Sequence, residues 1–528
     1  MSTAAEPMRS RRNHWMNQIA IHATTIPDAP ALRYLGETTT WRELHERVQK
    51  LADALARRGV GPGDRVLILM LNNTEYIESV FAVNTLGAIA VPVNFRLTPP
   101  EIAYLVTDSG ATTIITEAMF APLVTAVAAQ TGGLDTRIVV GVGTCEGMLG
   151  YDDLLAEAGE PHEPLDVPED TAALIMYTSG TTGNPKGAVL THLNMNAQAL
   201  TCIRAMRYSP DDIAFCASPL FHIAGLGSVA SCFVLGSLTV IHPLKAFDAT
   251  EVLDAWERER ATSVFLVPAQ WQIVCADPSV PQRDLRLRVI SWGAAPASDT
   301  VLRAMAETFP DALNVAVFGQ TEMSPITCVL DGEDAIRKLG SVGKPIPTIA
   351  TRIVDDEMND VAPGEIGEIV YRGPTLMREY WNNPRATADA FAGGWFHSGD
   401  LVRRDEEGFV YVVDRKKDMI ISGGENIYCA EVENVLFSHP RIREAAVIGR
   451  ADDKWGEVPV AIVAVEDADA IGLADLEAHL NAHLARYKHP KDLVVVDTLP
   501  RNAGGKVVKH ELRKLHGSAP VAGSSASR

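Results

Sequence analysis

The sequence predicts an α/β protein with more than one domain, and three observations support this. The chain has 528 residues, more than a single ordinary domain contains. Up to about residue 345, short apolar runs alternate with helical patterns, as in layered folds with largely parallel sheets. Beyond that point short strands and turns predominate, and a stretch of about 100 residues near the C-terminus has a pattern of its own.

The first long helix begins at a capping box, Thr40-Trp41-Arg42-Glu43. Leucines and a valine recur after it at helical spacing, and Gly59 stands where a C-terminal cap is expected. Residues 65–71 form an apolar run that predicts a buried strand.

The later elements are predicted from the same two signals, apolar residues at helical spacing and short apolar runs. In the α/β part, strands are predicted over 172–177, 263–267, 287–291 and 315–318. In the β-rich part, strands are predicted over 368–372 and 409–413. For the C-terminal stretch, helices are predicted near 430–437 and 473–486, and strands over 445–449 and 459–465.

Composition excludes several classes of function. With 47 Lys and Arg against 67 Asp and Glu the net charge is -20, which disfavours nucleic acid as a partner. The seven cysteines form no CxxC pair, so neither a disulfide framework nor a zinc site is predicted. The N-terminal arginines precede no apolar segment of secretory type, and a cytoplasmic location is expected.

Residues 213–244 contain no charged side chain, a length that in principle spans a bilayer. The segment is interrupted by prolines, glycines and histidines, so we expect a buried strand–helix–strand unit instead.

A strand followed by a loop rich in glycine and hydroxyl groups is predicted to bind phosphate. Glycines let backbone N–H groups approach an anion, hydroxyls add donors and a lysine adds positive charge. The spacing does not fit a Walker A loop. The candidate residues are Thr178, Ser179, Gly180, Thr181, Thr182, Gly183 and Lys186.

Five further side chains fit nucleotide chemistry. Phe318 is suited to stack on a base, and Glu322 offers a hard oxygen to Mg²⁺. Asp400 is suited to accept hydrogen bonds from a ribose, and Arg415 adds a guanidinium near the sugar or phosphates. Lys506 lies in a glycine-rich loop near the C-terminus.

Taken together, these motifs resemble those of the adenylate-forming enzymes: acyl-CoA synthetases, adenylation domains of peptide synthetases and beetle luciferases. The resemblance runs from about residue 25 to 515. It implies a large N-terminal domain of layered α/β subdomains plus a β-rich subdomain, hinged to a small mobile α+β C-terminal domain. The expected domains are residues 1–416 and 417–516, followed by a Ser/Ala/Gly-rich tail, 517–528, predicted to be disordered.

The resemblance also implies roles for residues that the patterns alone do not assign. By this carry-over Thr321 and Glu322 handle the α-phosphate and Mg²⁺, Lys506 is the catalytic lysine of adenylation, and Lys417 is the hinge. His222 resembles a gate between the acid and thiol paths. The wall beside adenine and acid corresponds to Gly293, Ala294, Ala295, Pro296, Phe318 and Gly319, and the face toward the thiol to Gly423, Gly424 and Glu425.

The implied reaction joins a carboxylic acid to ATP with release of pyrophosphate, then passes the acyl group from the adenylate to CoA. Two anions about 4 Å apart repel by roughly 4 kcal/mol at an effective dielectric of about 20, so Mg²⁺ and Lys506 are expected to offset charge. Residues 481–516 hold eight Lys and Arg against three acids, which suits ATP and CoA.

Residues 215–225 offer no acid to pair with an ammonium, so amino acids are disfavoured as substrates. The apolar composition nearby favours a medium- or long-chain fatty acid, with ATP, Mg²⁺ and CoA as the other reactants. An aryl-CoA ligase and a fatty-acyl-AMP ligase remain open, as does a catalytically silent nucleotide-binding protein. A homodimer and a weak peripheral contact with the inner membrane face are also left open.

Overall fold

A computed structural model describes residues 13–141, 145–159, 161–162, 164–178, 184–244, 246–295, 297–452, 454–465, 471–501 and 507–517. Of these, the residues in 1–178, 185–351 and 371–396 form a first compact unit. Those in 352–370 and 397–528 belong to the second. The prediction of a disordered tail concerns residues that, apart from Gly517, lie outside the described part of the chain. The domain boundary at residue 416 stays a prediction.

The described strands are short, as expected of a layered α/β protein. In chain order they are β1 Pro30–Tyr34, β2 Glu37–Thr40, β3 Arg65–Leu69, β4 Ile89–Pro92, β5 Thr113–Glu117, β6 Thr136–Val140, β7 Leu149–Gly150, β8 Ala172–Thr178, β9 Lys186–Thr191, β10 Ile213–Cys216, β11 Leu238–Ile241, β12 Ser263–Leu266, β13 Val289–Gly293, β14 Leu313–Gly319, β15 Ile326–Leu330, β16 Lys344–Pro345, β17 Ala350–Val354, β18 Ile366–Arg372, β19 Glu379–Tyr380, β20 Phe396–Arg404, β21 Val410–Arg415, β22 Ile420–Ser422, β23 Glu425–Ile427, β24 Ile442–Asp452, β25 Gly456–Val465 and β26 Asp492–Val496.

Several of the described helices begin at a side chain that accepts a hydrogen bond from the first turn. Thr40 accepts a hydrogen bond from the backbone of Glu43, which confirms the predicted capping box. The helices are α1 Asn17–Thr25, α2 Trp41–Ala56, α3 Thr74–Thr85, α4 Pro99–Ser109, α5 Ala121–Thr131, α6 Tyr151–Glu157, α7 His192–Met206, α8 Ile223–Leu235, α9 Ala249–Glu259, α10 Pro268–Ala276, α11 Asp299–Thr308, α12 Gly332–Arg337, α13 Pro384–Ala390, α14 Cys429–Phe437, α15 Leu473–His483 and α16 Lys509–His516.

Two sheets organise the first unit. One has the strand order β16-β15-β14-β13-β12-β10-β11-β1-β2, and its strands from β14 to β1 pair in parallel. The other has the order β19-β9-β8-β4-β3-β5-β6-β7, with β8, β9 and β19 forming an antiparallel end. Helices α4 and α5 pack on the second sheet over a core that includes Leu67, Ile114 and Val124. The predicted α/β class is confirmed.

The second unit contains a β-rich part and a small α+β part. Strands β17, β18, β20 and β21 form one sheet, and β23, β22, β25, β24 and β26 form another. Helices α14 and α15 cover one face of the latter sheet, where Val447 and Ala461 join the core. Its other face packs against Leu512 of α16.

The charge-free segment forms β10, α8 and β11, a strand–helix–strand unit as predicted, and α8 is largely buried. Within the described residues, no helix is both long and apolar enough to cross a membrane.

Candidate active site

The carboxyl ends of the central parallel strands place several predicted residues at one edge of the first sheet. Strands β13 and β14 pair in parallel, with Gly293 opposite Val317. The exposed Ala294 and Ala295 follow β13, and the half-buried Phe318 ends β14 beside Gly319. Open α/β sheets bind ligands outside the carboxyl ends of their strands.

Backbone contacts at this edge require glycine. A Cβ at Gly293 would collide with the carbonyl oxygen of Val317, and a Cβ at Gly319 with that of Pro325. The next residue, Ala294, has a φ of 64°, a left-handed backbone conformation that residues other than glycine rarely adopt. Such conformations persist where the surrounding structure imposes them, often at functional sites.

Glu322 lies just beyond this edge, in a single 3₁₀ turn over Thr321–Met323. Its side chain is only 9% exposed, and Oε1 accepts a hydrogen bond of 2.8 Å from the Tyr380 hydroxyl. The Glu322 carbonyl accepts a second one, of 2.7 Å, from the backbone of Met377. A buried carboxylate needs a donor such as the Tyr380 hydroxyl, because an unsatisfied buried charge is costly, whereas the Met377 bond holds the backbone of the turn.

The phosphate-loop prediction falls on the hairpin of β8 and β9. Thr178 and Lys186 are cross-strand partners at its loop end, and residues 179–183 lie outside the described part of the chain. The hairpin stem is anchored where the Tyr104 hydroxyl donates to the Pro185 carbonyl at 3.2 Å. The ammonium of Lys186 lies 5.0 Å from the ring centroid of Tyr380, within cation–π range.

These contacts bring Lys186 and Glu322 to one tyrosine, although the two motifs are more than 100 residues apart. Tyr380 was missed by the sequence reasoning. It belongs to β19, a two-residue edge strand with no periodicity to signal it, and reaches the site only because β19 pairs with β9.

The residues present fit a magnesium ion that is held mainly by nucleotide phosphates. Mg²⁺ in such sites takes one or two protein carboxylates plus phosphate oxygens, and Glu322 supplies one carboxylate. Across the described ranges, no group of three or more His, Cys, Asp or Glu is arranged to hold a metal on its own. The role of Glu322 as metal ligand stays a prediction.

His222 is the exposed N-terminal cap of α8, and its ring packs on Phe221 at 4.5 Å between centroids. Residues of α8, β10, β11 and β12 line a small, partly open cavity of about 20 Å³. Its lining includes aromatic side chains, side chains with a hydroxyl group and small side chains. It is lined by Tyr208, Ala214, Phe215, Cys216, Ala217, Ser218, Ser228, Cys232, Thr239, Ser263, Val264 and Phe265.

The second unit holds the predicted ribose residues, and it brings them together. Asp400 and Arg415 are cross-strand partners in β20 and β21, and Arg415 Nε donates to Asp400 Oδ1 at 2.6 Å. The carboxylate is buried whereas the guanidinium is 43% exposed. The Asp400 backbone also donates to Ser398 Oγ within β20. Their roles toward ribose stay predictions.

Lys417 follows directly, in a turn crowded by charge. Partial burial, together with the cations Arg415 and Arg513, lowers its pKa to about 8, against the opposing effects of Asp418 and Asp400. Arg513 of α16 donates to Asp418 at 2.7 Å. The predicted hinge residue is therefore next to a salt bridge that ties the turn to the C-terminal helix.

A buried polar cluster, which the sequence reasoning also missed, lies behind this turn. Asp414 Oδ2 accepts from the backbone of Cys429 at the start of α14, and burial raises the pKa of that carboxyl. Lys509 of α16 forms an ion pair of 2.8 Å with Glu433. Burial works against the charged form of Lys509, but Glu433 and its neighbours raise its pKa. The cluster joins β21, α14 and α16.

The expected thiol-facing loop connects β22 and β23, and the Trp455 ring packs against Gly423. Gly424 has a positive φ of 88°, and Glu425, the first residue of β23, is exposed. Besides residues 179–183, two further predicted site residues, Pro296 and Lys506, lie outside the described part of the chain.

Comparison with known proteins assigns the family. The AMP-binding enzyme family matches residues 19–381, and its C-terminal domain family matches residues 431–506. A feruloyl-CoA synthase from Amycolatopsis sp is 42% identical over 499 residues, covering 94% of this chain and 97% of that protein. An indoleacetate–CoA ligase from Aromatoleum aromaticum is 38% identical, covering 95% and 98%.

A long-chain-fatty-acid–CoA ligase, FadD13, from Mycobacterium tuberculosis is 36% identical and covers 90% and 93%. Among solved structures, the o-succinylbenzoate CoA synthetase MenE from Bacillus subtilis, in complex with ATP and magnesium ion, superposes with a TM-score of 0.83. It is 32% identical, with 94% of this chain and 99% of that chain covered.

The chain belongs to the AMP-binding enzyme family, so the predicted membership of the adenylate-forming enzymes is confirmed. The predicted large N-terminal and smaller C-terminal parts agree with these relatives. The prediction of ATP, Mg²⁺ and CoA is confirmed at the level of the family.

Proposed function

We propose that this member of the AMP-binding enzyme family is an aryl-CoA ligase, which activates an aromatic carboxylic acid as its adenylate and transfers the acyl group to CoA. Activation of an acid for transfer to CoA is common to the relatives named above. The choice of an aromatic acid revises the preference that the sequence alone suggested, which was a fatty acid.

The identity to feruloyl-CoA synthase over nearly the whole chain carries this proposal. Indoleacetate–CoA ligase, another relative named for an aromatic acid, supports it. Both are more similar to this chain than FadD13, although all three belong to one family.

The cavity beside α8 supports the same choice. The cavity is small, about 20 Å³, but its lining combines the rings of Phe215 and Phe265 with the hydroxyl groups of Ser228 and Thr239, side chains of the kinds that commonly line pockets for aromatic ligands. The absence of a charged residue from 213–244 disfavours a substrate with an ammonium group there.

In the proposed reaction the acid carboxylate attacks the α-phosphorus of ATP, the bond to the pyrophosphate oxygen breaks, and pyrophosphate leaves. When bound, Mg²⁺ supplies positive charge to the phosphates, with Glu322 as its protein ligand. Lys186 and the hairpin hold the leaving phosphates, and Asp400 with Arg415 orients the ribose. Lys506 stabilises the charge that develops at the α-phosphate. The CoA thiol then displaces AMP from the acyl-adenylate.

Fatty acids are the second candidate, supported by the similarity to FadD13. Each methylene that enters an apolar cavity contributes about 0.8 kcal/mol, so a long chain would bind tightly if the cavity extended far enough.

A single screen separates the two candidates. Pyrophosphate release and CoA-thioester formation are measured with ferulic, indoleacetic, o-succinylbenzoic and anthranilic acids, and with saturated fatty acids of graded length. We expect the kcat/KM of at least one aromatic acid to exceed that of every fatty acid by roughly tenfold or more, as one well-filled pocket contact allows. A fatty acid with the highest kcat/KM would overturn the aryl assignment, and adenylate formation without any thioester would overturn the CoA step.

A further inference from the structure

Tyr380 connects the two predicted phosphate-binding motifs of the first unit. Its hydroxyl donates to Glu322 Oε1 at 2.8 Å, and its ring centroid lies 5.0 Å from the Lys186 ammonium. One side chain therefore touches both the predicted metal ligand and the predicted pyrophosphate cation.

The backbone around Tyr380 is held to both motifs as well. Met377 N donates to the Glu322 carbonyl and Trp381 N to the Gly187 carbonyl, each at 2.7 Å. Tyr380 itself pairs with Ala188 of β9. The segment 377–381 thus ties the hairpin of β8 and β9 to the 3₁₀ turn at Glu322.

Its own anchoring leaves Tyr380 little freedom to move. Its backbone N–H donates to Thr387 Oγ1 at 3.0 Å, at the helix α13 that follows β19. The neighbouring Trp381 donates through its indole to the Asp108 carbonyl and lies 5.6 Å from the Arg65 guanidinium carbon. A hydroxyl on so constrained a strand holds its acceptor in one orientation.

The Glu322 carboxylate is occupied on one oxygen. Oε1 accepts from Tyr380, and in the described part of the chain no hydrogen bond reaches Oε2. A carboxylate fixed through one oxygen can present the other to a hard cation without rotating away from it.

We infer that Tyr380 is a positioning residue for Mg²⁺-ATP, which acts by orienting Glu322 through its hydroxyl and by holding Lys186 against its ring. The inference depends on the family's use of ATP and Mg²⁺ and not on which acid is the substrate. Its test therefore contains neither acid nor CoA, so its failure and the failure of the aryl assignment are separate results.

The test is a titration of the full-length enzyme with ATP by calorimetry, in EDTA and over a series of Mg²⁺ concentrations. Tyr380→Phe keeps the ring and removes the hydroxyl. We expect it to raise the Mg²⁺ concentration that gives half of the maximal gain in ATP affinity by roughly tenfold, the usual effect of losing a hydrogen bond to a charged group. ATP affinity in EDTA should stay within about twofold, because the ring still faces Lys186.

Tyr380→Leu removes the ring as well and should also weaken ATP binding in EDTA, by about threefold. The matched control is Tyr76→Phe, which removes a buried hydroxyl that has no hydrogen-bond partner among the described residues. Tyr76 lies in α3 and touches neither motif, so its variant should bind Mg²⁺-ATP as the wild type does.

A double-mutant cycle separates positioning from simple stabilisation of the fold. In a Glu322→Gln background, Tyr380→Phe should produce no further change in the Mg²⁺ midpoint. A folded Tyr380→Phe with a wild-type midpoint would overturn the inference, and so would an equal shift in both backgrounds. If Tyr380→Phe does not fold, Tyr380→His serves instead. Its shorter side chain should raise the midpoint similarly, and an unchanged midpoint contradicts the proposal.

Discussion

Two regions that hold candidate residues keep their polar groups in place by opposite means. Residues 213–244 of the first unit contain no charged side chain, and the cavity there is shaped by aromatic rings and hydroxyls. Residues 414–418 of the second unit are all charged, and each end of this run is bound to a C-terminal element through Cys429 or Arg513.

The contrast indicates what each region is able to do. An uncharged cavity can select an acid only by its shape and by a few hydroxyl groups. One contact more or less in such a pocket changes the free energy of transition-state binding by about 1–3 kcal/mol. A charged turn responds instead to pH, to salt and to loss of a partner. Substitutions in the first region should therefore change which acid is used, whereas those in the second should change ATP handling and the hinge.

The largest effect is expected at Lys506, the predicted catalytic lysine of adenylation. Lys506→Ala should slow adenylation by roughly 10²–10³-fold, as the loss of other electrostatic stabilisers does, and spare thioester formation from supplied acyl-AMP. Pyrophosphate release and thioester formation are measured separately. Equal losses in both half-reactions would contradict a role for Lys506 in adenylation alone.

A smaller effect is expected at the ribose pair. Arg415→Met removes the Nε donor from the buried Asp400, which should raise the KM for ATP by about tenfold or more. The control is Arg450→Met, which breaks an ion pair of 2.7 Å with Asp492 in the same unit. If both variants raise the KM for ATP equally, the ion pair at Asp400 has no special role toward the nucleotide.

Substitutions that change the size of the uncharged cavity test whether it selects the acid. Ser228→Val narrows it on the α8 side and should lower kcat/KM for bulky aromatic acids by about tenfold while the KM for ATP is unchanged. Ser228→Ala loses the same hydroxyl without narrowing and serves as the control. A loss that is equal for acids of every size, measured across the acid panel, would place the substrate elsewhere.

The smallest effect concerns Lys417. Its pKa of about 8 lies below the ordinary 10.5, so between these values the unfolded chain binds more protons and stability should rise with pH. Competitive acetylation followed by mass spectrometry should give a midpoint near pH 8 for Lys417, and Lys417→Gln should flatten the rise in stability. An ordinary midpoint near 10.5 would show that the charged turn does not act on this lysine.

The elements that were predicted well are those with a strong local period. The helix α2 and the strands β8, β14 and β25 lie within a few residues of their expected ranges. The strand predicted over 287–291 is observed as Val289–Gly293, because pairing with β14 extends through a glycine that local propensity disfavours. The helix predicted to residue 486 ends at His483, since Leu484 turns into an extended conformation and is buried.

Among site residues, Asp400 and Arg415 illustrate what a motif can predict. Each end of the pair was identified from its own short pattern, and the antiparallel register of β20 and β21 brings the side chains into contact. Tyr380 illustrates what a motif cannot predict. Nothing in Glu379-Tyr380 indicates that this edge strand pairs with β9 and reaches Glu322.

By itself, the sequence determined the α/β class, the family, the order of the motifs and the absence of Asp, Glu, Lys and Arg from residues 213–244. These features are local, since periodicity, residue chemistry and spacing are written along the chain. The tertiary structure alone decided that Tyr380 contacts both Lys186 and Glu322, that Asp414 is buried against α14, and that burial lowers the pKa of Lys417. Those properties arise from strand pairing and burial between residues distant in sequence, which set the local dielectric and the partner of each charge.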